Sequence, residues 1–212
     1  MEQGITVTGR GAVSGTPDVL RLSLGVETTS AGLAEAHRRA SGAAGRLLAA
    51  LAGAGIAAGD AATSAVSLRP ETAWHEGGRQ QTTGYTASVT FAVTVRDLQR
   101  TPEVLDAAVA AAGDSLRLGG AGFGFSDPSV PASAARAAAW RDARARALEL
   151  AGLAGRTLGP VVRIEEADGG PVPPAVREAA LLSAAMPVVP GTAEDSARLT
   201  VSWAWADAGT GP

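Results

Sequence analysis

The sequence predicts an α+β fold: antiparallel sheet(s) with helices packed on one face, in the order ββαββ–αβα–β–loop–β. Three observations carry this. Residues 85–95 alternate apolar and polar side chains with a period of two. Segments 30–54, 101–113 and 128–154 repeat apolar or alanine residues at three and four. Strand-like runs outnumber helical ones, and most successive runs are joined closely enough to be antiparallel neighbours.

Taken in order, Ile5, Val7, Gly9, Gly11 and Val13 share one parity, with Thr6, Thr8 and Arg10 on the other. This is a half-buried strand with glycines where something packs close. After a turn at Gly15-Thr16-Pro17-Asp18, Leu20, Leu22, Leu24 and Val26 alternate with Arg21, Ser23, Gly25 and Glu27. The two runs are expected to pair as a hairpin. Ser30 is placed to cap a helix reaching Ala54, with an inner stripe of Leu33, Ala36, Ala40, Ala44, Leu47 and Leu51. Gly55-Ile56 reads as its left-handed terminus. Residues 63–75 form a strand with Val66 and Leu68 inward and Pro70 pushing its end to an edge, and Glu76-Gly77-Gly78-Arg79 is a hairpin tip. The strand at 85–95 is central.

Thr101-Pro102-Glu103 is a helix start, with Leu105, Ala108, Val109 and Ala112 buried and Gly113 ending it. In the strand at 115–125, Leu116 and Leu118 are on even positions but Phe123 and Phe125 on odd ones, so a β-bulge falls within Gly119-Gly120-Ala121-Gly122. Asp127-Pro128 opens the third helix, whose Ala135, Ala139, Ala143, Ala147, Ala151 and Ala154 let its axis come close to a partner surface. Gly159-Pro160 breaks the chain, and 161–166 is a short strand. Residues 167–190 are a Pro/Gly-rich loop whose middle, 175–186, could hold a weak helical turn. A last strand carries Ala197, Leu199, Val201, Trp203 and Trp205, and 207–212 is a flexible tail. The whole is one domain, 1–212, with candidate lobes 1–96 and 97–206.

Composition narrows the function. Alanine supplies 47 of the 212 residues, and aromatic residues only 4%. A core so short of bulky side chains calls for close approach of elements or for an oligomer interface. Cysteine is absent, which removes thiolate chemistry and disulfides. The 18 basic residues are all Arg, which removes Schiff-base and P-loop lysines. An isoelectric point near 5.4 argues against nucleic acid, and no apolar run is long enough for a transmembrane segment.

Candidate chemistry is thin. His37 flanks the first helical stripe, and His75 stands beside Trp74 and Glu76 at a hairpin tip with no further ligands near. No nucleophile elbow occurs. Glu165 and Glu166 are adjacent in a strand and point to opposite faces. No metal and no cofactor is expected. Trp203 and Trp205 on one strand face, with Leu181, Leu182, Met186, Val188 and Val189 of the loop, are either core filling or an interface. Arg136 and Arg144, with Gly120 and Gly122, are candidates for a groove taking an acidic group; the wider run of Arg136, Arg141, Arg144, Arg146 and Arg156 otherwise reads as a solvated helix face.

One resemblance runs along the chain. Ile5-Thr6-Val7-Thr8-Gly9-Arg10-Gly11 followed by Pro17-Asp18 resembles the opening of the SIMPL-domain family, which includes the YggE-like and periplasmic immunogenic proteins. Glu35-Ala36, Leu51 with Gly55-Ile56, Asp60 with Thr63, Leu68-Arg69-Pro70, Gly84-Tyr85-Thr86-Ala87 and Val95-Arg96-Asp97-Leu98 follow in order. So do Phe125-Ser126-Asp127, Leu158-Gly159-Pro160-Val161 and the Pro187, Pro190, Gly191 group. The resemblance implies an α+β fold, a tendency to homo-oligomerise and a stress- or envelope-related role; it supplies no catalytic residues. Exported members begin with a signal peptide and no such leader is seen here, so a cytoplasmic location is expected, with export the alternative if the start is truncated. The expectation is therefore a non-enzymatic, self-assembling protein. The alternative is a module binding a small anionic ligand or a peptide.

Overall fold

The computed structural model describes residues 4–75, 79–167 and 191–206. Seven strands and three helices follow in chain order: β1 (Gly4–Gly15), β2 (Val19–Ser30), α1 (Leu33–Gly53), β3 (Ala61–His75), β4 (Arg79–Val95), α2 (Thr101–Ala112), β5 (Leu116–Gly124), α3 (Ser129–Leu153), β6 (Leu158–Ala167) and β7 (Ala193–Trp205). The α+β class and the element order are those read from the sequence. The loop beyond 167 and the tail at 207–212 lie outside the described residues, as does the hairpin tip at 76–78.

The elements form two compact units, each an antiparallel sheet with helical cover on one face. One runs from Pro17 to Ser126; the other joins β1 to the chain from Asp127 onward. The chain therefore changes unit at 16/17 and 126/127, and the expected division at 96/97 falls inside the Pro17–Ser126 unit, just before α2.

In the unit containing β1, the strand order is β1-β7-β6. β1 pairs with β7 along its whole length, from Gly4 opposite Ala204 to Gly15 opposite Ala193. Hydroxyl pairs Thr6–Ser202 (2.8 Å) and Thr8–Thr200 (2.9 Å) line the outer face. On the inner face Val7, Leu199, Val201 and Trp203 pack against Ala139, Ala143 and Ala147 of α3. The glycines and the alanine stripe explain each other. A side chain at Gly9 would stand 2.5 Å from the Ala143 nitrogen, with the Ala139 carbonyl oxygen closer still, and one at Gly11 would meet Ala138 Cβ at 2.8 Å and the backbone of Ala135 and Ala139 more closely. Helix and strand backbones are thus nearly in contact, and the core is filled by approach rather than by large side chains. Asp142 on α3 accepts the Arg10 backbone N–H at 2.8 Å, taking up a donor on the free edge of β1. Ala154, by contrast, is exposed beyond the helix end.

The expected β1–β2 hairpin does not form. β2 joins the other sheet, of order β3-β4-β2-β5, pairing with β4 on one side and β5 on the other. Two local reasons stand out. The glycine face of β1 fits the alanine face of α3, which accompanies β7. Pro17 interrupts the linker, and the Asp18 N–H donates to the Gly124 carbonyl (3.1 Å), drawing β2 toward β5. Asp18 further accepts the Ser126 backbone N–H (2.6 Å) and hydroxyl (2.5 Å), and these two bonds pull its carboxyl below the ordinary 3.8.

The core of this second unit is the inner face of β2 (Leu20, Leu22, Leu24, Val26) and β4 (Phe91, Val93, Val95) under α1 and α2. Ser30 belongs to β2, paired with Tyr85, so it does not cap; α1 starts two residues later, behind Gly32, without a side-chain cap. The exit of α1 is as expected. Gly55 has φ +89°, and the Gly55 and Ile56 N–H groups reach back to Ala52 and Leu51 carbonyls, both at 3.0 Å, a Schellman ending. α3 ends identically at Gly155, which the sequence reading passed over. Thr101 is the first helical residue of α2 rather than its cap, because the turn Leu98–Arg100 runs straight into the helix; its hydroxyl is fully buried and unpartnered among the described residues. The buried stripe of α2 is Thr101, Val104, Ala108 and Ala112, so Val109 is exposed rather than buried. The bulge in β5 is present: Ser23 faces Gly120 and Leu24 faces Leu118, leaving Gly119 as the extra residue.

Candidate functional site

Among the described residues β3 pairs only with β4, and it forms the edge of its sheet, as Pro70 suggested. Val66, Leu68 and Pro70 lie opposite Val89, Ala87 and Tyr85, so the expected inward parity is correct. Burial is not. Val66 is 70% exposed and Leu68 46%, because α1 and α2 cover β2 and β4 and stop short of the edge. Trp74, farther along the same strand, is 72% exposed. The other sheet repeats the arrangement. β6 is an edge strand; Val161 and Ile164 face the same way as Trp203 and Val201, yet Ile164 is 55% exposed beyond α3. Each sheet therefore ends in an edge strand whose helix-side apolar residues lack helical cover among the described residues.

The residues singled out in the sequence are scattered differently. Trp203 is core: its ring lies 6.0 Å from that of Trp140 and it is almost fully buried. Trp205 is half-buried opposite Leu158. Leu181, Leu182, Met186, Val188 and Val189 lie outside the described residues. Arg136 is exposed and approaches Glu166 at 3.7 Å; Arg144 is exposed on the same helix. Gly120 and Gly122 sit in β5, in the other unit, where neither has a heavy atom within 4 Å of the position of a side chain. The four do not form a groove within one unit. His37 is exposed on α1. Glu165 pairs with Arg163 and Glu166 with Arg136, so the two acids are used separately. Among the described residues no group of three His, Asp or Glu could hold a metal.

What the sequence reading missed is a groove on α1. Arg38, Arg39, Gly42, Ala43 and Arg46 line it with Thr28 of β2 and Ser115, and it encloses about 360 Å³. The signal was a glycine inside a helix flanked one turn away on each side by arginine. Elsewhere on this unit the ion pairs are structural. Arg96 grips Asp60 with both arms (2.8 and 2.7 Å), and that bond lowers the Asp60 carboxyl from 3.8. Glu71 is likewise lowered, first by the Thr86 hydroxyl and then by Arg69.

The comparisons with known proteins cover most of the chain. The model of the SIMPL family, described as a protein of unknown function (DUF541), matches residues 5–203. The chain belongs to the SIMPL family. Its relatives include the 26 kDa periplasmic immunogenic protein of Brucella melitensis, 31% identical over 176 residues, covering 80% of this chain and 68% of that one. The protein of the same name in Brucella abortus aligns to the same extent. The uncharacterized protein YggE of Edwardsiella ictaluri is 30% identical over 160 residues, covering 76% and 66%. The expected cytoplasmic location is corrected here. Two of these SIMPL relatives are named periplasmic proteins, which points to export. Where a sequence begins is poor evidence of location, since leaders are removed from mature exported proteins. Among the described residues no helix of this SIMPL chain is long and apolar enough to cross a membrane.

Proposed function

We propose that this SIMPL chain is a non-enzymatic, exported building block that assembles with copies of itself through the uncovered edges of its two sheets. The observation that carries the reading is the repeated one: β3 with Val66, Leu68 and Trp74, and β6 with Val161 and Ile164, present apolar residues on the helix-side face past the end of the helical cover. An edge strand offers free backbone donors and acceptors, and natural monomers blunt such edges with charge or cover. A second copy supplies both, pairing the backbone and burying the apolar row. Scarce bulky core residues and the poverty of reactive side chains agree with a structural role. The periplasmic names of two relatives suit an envelope setting.

Light scattering and sedimentation of the purified chain test this. The parent is expected to run as a defined oligomer at micromolar concentration. A variant carrying Val66→Lys and Ile164→Lys should fall to the monomer mass with an unchanged circular-dichroism spectrum. A parent that is strictly monomeric would refute the proposal, and so would an oligomer indifferent to both lysines.

A further inference from the structure

We propose that the groove on α1 binds a phosphomonoester carried on a small polyol. Arg38, Arg39 and Arg46 line it, and the carboxylate paired with any of them among the described residues is that of Glu35, which pairs with Arg38. Arg39 makes no ion pair with a described residue. Three guanidinium charges against one carboxylate leave two, which matches the charge of about −1.5 to −2 on a phosphomonoester near neutral pH better than the single charge of a carboxylate. The guanidinium fork suits phosphate oxygens.

The groove is also held open. Gly42 lies one helical turn after Arg38 and one before Arg46, and a side chain there would find only an Arg46 terminal nitrogen, at 3.7 Å. Glycine in a helix interior weakens the helix, and here its bare backbone leaves the floor clear. Arg46 is steadied by donating from Nε to the Ala111 carbonyl at 3.3 Å. The two hydroxyls at the walls have already spent their protons: Thr28 donates to the Ala36 carbonyl (2.9 Å) and Ser115 to the Ala112 carbonyl (2.5 Å). They can therefore only accept, so a ligand that brings donors of its own alongside its anion finds two acceptors there. The groove is open to solvent, and its volume of about 360 Å³ exceeds what one phosphate fills. Phosphate on a hydroxylated carbon chain satisfies all four demands.

Calorimetric titration of the full chain with glycerol phosphate, inorganic phosphate and glycerol tests the assignment. Glycerol phosphate should saturate, tighter than inorganic phosphate, with glycerol silent. Affinity should fall with added salt and as pH drops below about 6, where the second phosphate proton returns. Arg39→Gln should weaken binding about tenfold, the loss of one charge-assisted contact. Gly42→Leu should abolish it while leaving the melting temperature unchanged or higher, since the helix gains a better former. No saturation by glycerol phosphate, equal binding of inorganic phosphate, or unchanged affinity in both variants would overturn the proposal.

Discussion

Replacing Gly9 by alanine adds one methyl group to β1 and tests whether the backbones of β1 and α3 truly touch. The new carbon would stand 2.5 Å from the Ala143 nitrogen, whereas ordinary contact begins at 3.4 Å. The blocking atoms include helix backbone, so no rotamer change relieves them; α3 must retreat by about 1 Å. A gap of that size forfeits a quarter to a half of each dispersion contact along it. The contacts at stake are those of five buried alanines, Ala135 to Ala151, and of Val7, Val201 and Trp203. Overpacking commonly costs about 1–3 kcal/mol, and a whole helix displaced from its sheet belongs at the upper end, about 3 kcal/mol. For a unit of this size that is a fall of more than about 12 °C in melting temperature. Urea unfolding followed by tryptophan fluorescence would measure it, since Trp140 and Trp203 lie in this core. Gly120→Ala, where nothing lies within 4 Å, is the control and should be near neutral. Ala143→Gly should fail to rescue Gly9→Ala, because the helix backbone remains in the way. A Gly9→Ala protein within about 0.5 kcal/mol of the parent would refute the close-approach account.

Other outcomes follow from the same structure. Thr101→Val should stabilise the Pro17–Ser126 unit by about 1 kcal/mol in denaturant titration, because it removes a buried hydroxyl that has no partner among the described residues; a loss of that size would mean the hydroxyl is satisfied. The carboxyl of Asp142 is held below 3.8, first by the Arg10 backbone N–H and also by Arg146. A depressed folded-state value means that its stabilising contribution is present above about pH 3.8 and is lost as pH falls through the folded value. The stability difference between parent and Asp142→Asn should therefore shrink on acidification; a difference constant with pH would disprove the linkage. Asp18, Asp60, Glu71 and Asp127 shift in the same direction, so the parent should lose stability steadily below that range.

The sequence by itself determined this protein's elements. Period-two alternation placed β4 in the centre of a sheet, four-residue spacing of alanine placed α3, and Gly55-Ile56 ended α1, because these signals rest on local geometry and on which face must leave water. The glycines of β1 announced a close neighbour and the alanines of α3 announced a close partner. Only the tertiary structure decided that they were meant for each other, and so that β1 leaves its sequence neighbour β2 for β7. Parity told which way Val66 and Leu68 point, but not that α1 and α2 would leave them exposed, since burial depends on where another element stops. The groove at Arg38, Arg39 and Arg46 went unread for a related reason. Arginines on a helix look like a solvated face until the residues that complete the groove, here Thr28 of the preceding strand and Ser115 from far along the chain, are in place.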